Sequence, residues 1–397
     1  MTVQSGDAPA RSRVDSIDVL RGVIMILMAL DHTRDFFGMP GANPTDLARS
    51  SAGLFLTRWV TYFCAPVFFL LTGTGAFLAL QRKSVGEMSR FLATRGAWLI
   101  FLDLVGVRLL GVQWNLDFQV TLLLVLWALG WSMIALAGLI RLRPSLVAWI
   151  GLGMIALHNL ADGVRAVSLG AFGPLWSILH APGFVVASPR FTVFVAYPLI
   201  PWIGVTAVGF ALGQVFLWPA ERRRRWLLRA GLGATAGFVA LRALDVYGDP
   251  LHWAAQATPW TTVLSFVNTN KYPPSLLFLL MTLGPSLLAL RWLDAGTPRL
   301  LRPALVFGRV PLFYYVVHWP LIHLLAAGVC LARTGELHWV FESPRIDLFP
   351  FTPPPGWGFS LPIVYLVWAI VVVTMFPLCR WFAGVKRRRN DAWLGYF

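Results

Sequence analysis

Runs of about twenty apolar residues recur along this 397-residue chain, and no other feature constrains its fold as much. Each run can cross a hydrocarbon core about 30 Å thick. A backbone in lipid must satisfy its own polar groups, so each run is expected to be a helix. Ten spans are expected, near 16–37, 57–81, 91–111, 119–140, 145–164, 191–217, 226–245, 274–292, 304–328 and 360–383. The expected fold class is therefore all-α, a polytopic integral membrane helix bundle of about 10 transmembrane helices. The chain is 57% hydrophobic and 13% charged, which excludes an ordinary water-soluble globule. The domain reading is a polar tail over 1–15, one transmembrane domain over 16–385 and a basic tail over 386–397. Met1 to Arg13 shows no apolar core of a signal peptide.

The formal charge of +15 raises the question of a nucleic-acid partner, but no recognition motif accompanies it. The basic residues sort by loop instead. Nineteen fall in one alternating set, including Arg82, Lys83, Arg222 to Arg225 and Lys386 to Arg389, and seven in the other. The positive-inside rule then puts both termini in the cytoplasm, in agreement with an even number of spans. The run ERRRRWLLR reads as a topology determinant that touches anionic lipid. The opposite side carries the long connections, near 38–56, 165–190, 246–273 and 329–359. Long loops on one face often hold binding sites. GPLWSILHAPGF (173–184) is too short to span and is expected at the interface. Cys64, Cys330 and Cys379 have no metal-like spacing and read as small core residues.

The first span, SIDVLRGVIMILMALDHTRDFF, carries Arg at one end and a knot of ionisable groups at the other. Arg21 and His32 are eleven residues apart, three helical turns plus about 20°, so they share a face over a rise of about 16 Å. Asp18 shares a face with Arg21, as Asp35 does with His32. Two readings stand. In one, Asp18 and Arg21 pair at one interface while His32 and Asp35 close the helix at the other. In the second, His32 is a base in a cavity, since ionisable groups at membrane depth face a bundle interior or water, and Arg21 receives an anion. Histidine is the side chain best poised for proton transfer near neutral pH.

The blocks RVDSIDVLRGVIMILMALDH, FCAPVFFLLTGTGAFL, ALHNLAD, YPLIPWIGV, NKYPPSLLFLLMTLGP and FGRVPLFYYVVHWPLIH resemble bacterial relatives of heparan-α-glucosaminide N-acetyltransferase. Arg, ten residues, then His is also the pattern of the wider transmembrane acyltransferase clan, which includes the acyltransferase-three family. The resemblance runs from about Arg13 to the tail. It implies a transmembrane acyltransferase-like domain that moves an acyl group, acetyl in that family's case, from cytosolic acyl-CoA to a hydroxyl or amine on the periplasmic face. The lysosomal enzyme places its proposed catalytic His in the first luminal loop and an Asn at the end of the first helix. Here His32 falls on that Asn, and Thr33 to Leu56 contains no His. His32 therefore fits the clan's Arg-to-His pattern.

On this reading His32 is the catalytic base, oriented by Asp35 or, if the helix ends early, by Asp31. Arg21 and Asp18 form the cofactor-binding pair for acetyl-CoA, the acyl donor. The candidate substrate-binding residues are Arg58, His158, Asp162, Asn268, Lys271, Tyr314 and His318. Arg58 begins the second span and either orients substrate or anchors at the interface. His158 and Asp162 lie four apart, as do Tyr314 and His318, so each pair is expected on one helix face. Asn268 and Lys271 precede the eighth span, where Lys271 helps an oxyanion form or snorkels to headgroups. His318 and His323 diverge by about 140°, so no metal pair is expected there, and no metal is expected elsewhere. His180, His252 and His338 are read as solvated loop residues.

The expected partners are acyl-CoA, a periplasmic glycan or sugar and membrane lipids, with a homodimer suggested by the resemblance. The expected location is the bacterial inner membrane. The alternative is a transporter or flippase that uses the same buried ions as a pathway without acyl transfer.

Overall fold

In a computed structural model the described residues are 14–397, apart from 189, 346, 347, 349 and 390. Most of the polar tail, with Arg11 and Arg13, lies outside them. The chain is a polytopic helical bundle. Among the described residues seven helices are long and apolar enough to cross a membrane: Ala52–Leu80, Pro144–Ala161, Leu199–Leu217, Ala220–Leu244, Leu276–Ala295, Pro311–Thr334 and Leu361–Arg388.

The other three expected spans are helical but atypical. Helix α1 (Asp15–Phe37) has the length, but its charges are dense. Helix α4 (Val85–Phe101) runs straight into a π-helical stretch, Leu102–Val112, that carries Asp103 and Arg108. Helix α5 (Val125–Leu139) is short, because the chain ahead of it forms strand β1 (Val120–Leu123). The remaining helices are α2 (Ala52–Thr61), α3 (Cys64–Leu80), α6 (Pro144–Leu157), α7 (Gly173–Leu179), α8 (Leu199–Leu212), α9 (Ala220–Leu244), α10 (Pro259–Val267), α11 (Leu276–Ala295), α12 (Ala304–Gly308), α13 (Pro311–Thr334) and α14 (Leu361–Arg388).

Three sequence expectations shift. The span near 191–217 begins with strand β3 (Thr192–Val195) and becomes helical only at Leu199. The span near 304–328 breaks at Arg309–Val310 and restarts at Pro311, where a proline suits a first helical turn. GPLWSILHAPGF splits into α7 and strand β2 (Gly183–Ala187). The three strands form one small sheet in the order β1-β3-β2, with β1 parallel and β2 antiparallel to β3.

Helix α1 sits at the centre, against α3, α11, α12, α13 and α14. Its packing on α12 is backbone to backbone. A Cβ on Gly22 would lie 1.9 Å from the Ala304 carbonyl oxygen, and one on Gly308 would lie 1.7 Å from that of Asp18. The α3–α8 seam is similarly close, through Gly73 and Gly209. Membrane helices associate through such small residues, because lipid removes the hydrophobic drive between them. The outer helices α9 and α14 turn large apolar side chains outward, among them Leu232, Val239, Leu366 and Val373. Trp368 Nε1 donates to the Ile26 carbonyl (2.8 Å) and fastens α14 to α1.

At the C-terminal end of α1, Trp357 Nε1 donates to Phe36 O (2.8 Å) and the Phe359 amide to Phe37 O (2.9 Å). From there α14 runs back toward the Arg21 end. The final turn, Ala392–Tyr396, packs on α4, where Arg95 Nη1 donates to Gly395 O (2.8 Å). The beginning of α1 and the end of the chain therefore lie at the same end of the bundle. The long connections gather at the other end, with His32.

Candidate active site at the end of the first helix

His32 meets α13. Its Nδ1 is 2.6 Å from His318 Nε2, and His318 Nδ1 is 2.9 Å from the Tyr314 carbonyl oxygen, four residues back along the same helix. A carbonyl only accepts, so His318 Nδ1 carries a hydrogen and, in the neutral ring, His318 Nε2 is bare. It must then accept from His32 Nδ1, which leaves the lone pair of His32 on Nε2. The His32 ring stacks on Trp319 (centroids 3.8 Å apart) with Tyr315 edge-on at 6.2 Å. His318 is fully buried and His32 half-buried. The expected orienting role of Asp35 therefore meets a correction: His318 holds the His32 ring nitrogen, and the Asp35 carboxylate takes Arg34 at 2.6 Å. Tyr314 supports His318 through its backbone, and its hydroxyl makes no hydrogen bond among the described residues.

Asp31, 100° round the helix from His32, turns into a cluster of cations, although both line one cavity. Arg58 Nη1 donates to both of its carboxylate oxygens (2.7 and 2.9 Å), and Thr61 Oγ1 donates to one (2.9 Å). The Arg34 guanidinium is 2.8 Å away and the Lys271 ammonium 3.9 Å. Lys271 is buried and lies over the rings of Tyr62 and Tyr272, at 5.6 and 5.1 Å. It is thus neither solvated nor snorkelling. Arg58 is likewise drawn inward rather than anchored at an interface.

Two cavities meet at this cluster. The first, of about 350 Å³, is lined by His32, Trp319, Tyr315, Tyr197 and Tyr272, and by the apolar Leu122, Leu124, Val125, Pro182 and Phe194. The second, of about 410 Å³, is polar, with Asn43, Asn268, Asn270, Lys271 and Trp357 among its walls. Arg34, Asp35, Arg58 and Tyr272 line both. The small sheet supplies one wall of the first cavity, and the long connections supply most of the second.

Asn268 is held from two sides. Its Nδ2 donates to Thr45 O (3.3 Å), and its carbonyl accepts from Arg242 Nη2 (2.8 Å). Arg242 is completely buried near the end of α9 and also donates to the carbonyls of Phe266 (2.9 Å), Ser265 (3.2 Å) and Leu251. One guanidinium thereby organises the loop that presents Asn268 and Lys271. Nothing in the sequence separates this arginine from an interfacial one.

At the far end of α1, Arg21 Nη1 donates to Asp18 (3.0 Å) and to the Gly308 carbonyl (3.3 Å). The pair exists, about 16 Å of helix rise from His32.

His158 and Asp162 do not pair along a helix face. Helix α6 stops at Leu157, and Asp162 Oδ1 instead lies 3.2 Å from His180 Nε2. Burial raises the Asp162 carboxyl, but hydrogen bonds from His180 and Asn159 outweigh it and hold the group below the usual carboxylate range. His180, expected to be solvated, is buried against Trp176 (4.7 Å). None of the three lines the His32 cavity. His252 and His338 are exposed, as expected. Sequence reasoning missed Arg34, Tyr197, Tyr272 and Trp319. The aromatic residues carry no charge pattern, and only the fold brings them to His32.

Residues 13–247 match the family model described as heparan-alpha-glucosaminide N-acetyltransferase, catalytic. The match covers α1 through α9 and stops short of Lys271 and His318. No curated protein matches the chain.

Proposed function

The chain belongs to the heparan-alpha-glucosaminide N-acetyltransferase catalytic family, and from that premise we propose an acyl transfer from acetyl-CoA to a hydroxyl or amine of a sugar or glycan. The family relation supports a membrane acetyltransferase kind of function. The donor, the acceptor and the site are our reading. The observation that carries it is the His32–His318 pair, which leaves a bare imidazole nitrogen on a residue that lines a cavity.

In this reading the thioester occupies the cavity beside His32 and the acceptor the polar one. The two meet across Arg58, Asp35 and Tyr272. As the acceptor oxygen or nitrogen attacks the thioester carbonyl carbon, His32 Nε2 takes its proton. His318 keeps the His32 ring in place through Nδ1. The developing oxyanion forms beside Arg58 and the Tyr272 hydroxyl, which supply positive charge and a donor in a site of low dielectric. When the tetrahedral intermediate collapses, the C–S bond breaks and the thiolate leaves as CoA–SH with the proton from His32. The products are the acylated acceptor and free CoA. Arg21 and Asp18 mark where the CoA phosphates are held, by charge-assisted hydrogen bonds to Arg21. The proposed geometry has a cytosolic donor and a periplasmic acceptor.

The test is release of free CoA from acetyl-CoA by proteoliposomes supplied with a cell-envelope glycan and lipid extract. The expected result is turnover in the wild type and a loss of about 10²-fold or more in His32→Gln, with acetyl-CoA binding retained. Equal turnover in both would remove His32 from the mechanism. Solute flux without CoA release would favour the transporter reading.

A further inference from the structure

We propose that His158, Asp162 and His180 hold a zinc ion, and that this ion fastens the loop carrying Pro182 to the end of α6. One donor atom from each of the three lies within 4.8 Å of the others. They come from separate places: the C-cap of α6, the turn after it and the C-cap of α7. Both imidazoles are buried, His158 at 6% exposure and His180 at 2%. Neither ring nitrogen of His158 meets hydrogen-bond criteria with any partner among the described residues, and the Pro274 carbonyl lies nearby. A buried imidazole ordinarily finds a partner. One that is aimed at a second histidine and a carboxylate has the surroundings of a metal ligand.

The carboxylate is also held from behind. Asp162 Oδ2 accepts from Asn159 Nδ2 (2.8 Å), and Asn159 Oδ1 accepts from the Leu276 amide at the head of α11 (2.9 Å). Outer hydrogen bonds of this kind orient metal-bound carboxylates. Two imidazoles and one carboxylate, with a fourth position for water, suit zinc. Zinc bonds of about 2 Å require donors about 3–4 Å apart, so a set within 4.8 Å must draw in by roughly 1 Å to hold the ion.

The location gives the ion its consequence. His180 is two residues from Pro182, a wall of the His32 cavity, and β2 begins at the next residue. β2 pairs with β3, which contributes Phe194 to the same wall. Zinc would set the position of that wall without touching the reacting atoms.

The full chain, purified in detergent with a tag that contains no histidine, can be assayed for zinc by mass spectrometry. Chelator-stripped protein can be titrated with Co²⁺ and followed by visible absorption, with Tm recorded in each state. The expected result is about one zinc per chain, a Co²⁺ absorption band of low coordination number, and a Tm that falls on stripping and recovers with zinc. His158→Ala and His180→Ala should each lose the metal and the Tm response. His32→Gln should keep both, which separates this site from the acyl-transfer reading. A wild type with no zinc above background and no Tm response to added zinc would overturn the proposal. So would metal retained in both alanine variants.

Discussion

His318 contributes to the site through one acceptor nitrogen, and that makes its role measurable. His318→Leu removes the acceptor for His32 Nδ1–H and frees the ring to rotate or change tautomer. The expected outcome is a fall in kcat of about 10- to 100-fold, with KM for acetyl-CoA little changed, read from CoA release. Asp31 and Asp35 separate by environment. Asp31 is buried among Arg58, Arg34 and Lys271, so Asp31→Asn leaves Arg58 and Lys271 without their counter-charge and Arg34 with Asp35 alone. A loss of about 3–5 kcal/mol is expected, seen as a collapse of Tm or of yield. Asp35 is half-buried and pairs with Arg34 alone, so Asp35→Asn should melt close to the wild type. The sequence placed these ionisable groups at one end of a membrane helix, because spacing on a helix is arithmetic. It did not show which acid served which base. His318 lies 286 residues away, and no periodicity links two helices that distant.

At the scale of elements, the α1–α12 contact leaves no room for side chains. Gly22→Ala places a methyl carbon into the Ala304 backbone, which cannot withdraw as a flexible side chain would. Overpacking of this kind costs about 1–3 kcal/mol, so Tm should fall, while Gly233→Ala, on an open stretch of α9, should leave it level or raise it. The long apolar helices were legible, since lipid demands length and hydrophobicity and both are written locally. The small sheet was not. Its strands are four or five residues long; β1 and β3 fell inside apolar runs that read equally well as helix, and β2 fell in an expected connection. Likewise α12 and α13 read as one span: Gly308 and Pro311 flank the break at Arg309–Val310, but both also occur inside membrane helices, so neither marked a stop.

At the scale of the molecule, both described ends of the chain share the Arg21 end, and the basic residues gather in the loops expected on that side. Both termini should therefore be cytoplasmic. Fluorescent-protein fusions at either terminus should glow in cells, and alkaline-phosphatase fusions there should be inactive; the opposite pattern would invert the bundle. The long connections were expected to hold binding sites, and they wall the polar cavity. Which of them would meet was beyond the reach of the sequence, because Arg242 ties 251–268 together through carbonyls that any residue could have offered.

Arg21 and His32 stand on one unbroken helix, pinned along its length by α12, α13 and α14. Such a helix is a ruler. With the donor's phosphates at one mark and its thioester at the other, the protein would measure the length of the connecting arm before it inspected the group at the tip. A thioester on a truncated arm could occupy either mark but not both. It should turn over poorly and compete weakly, whatever acyl group it carries.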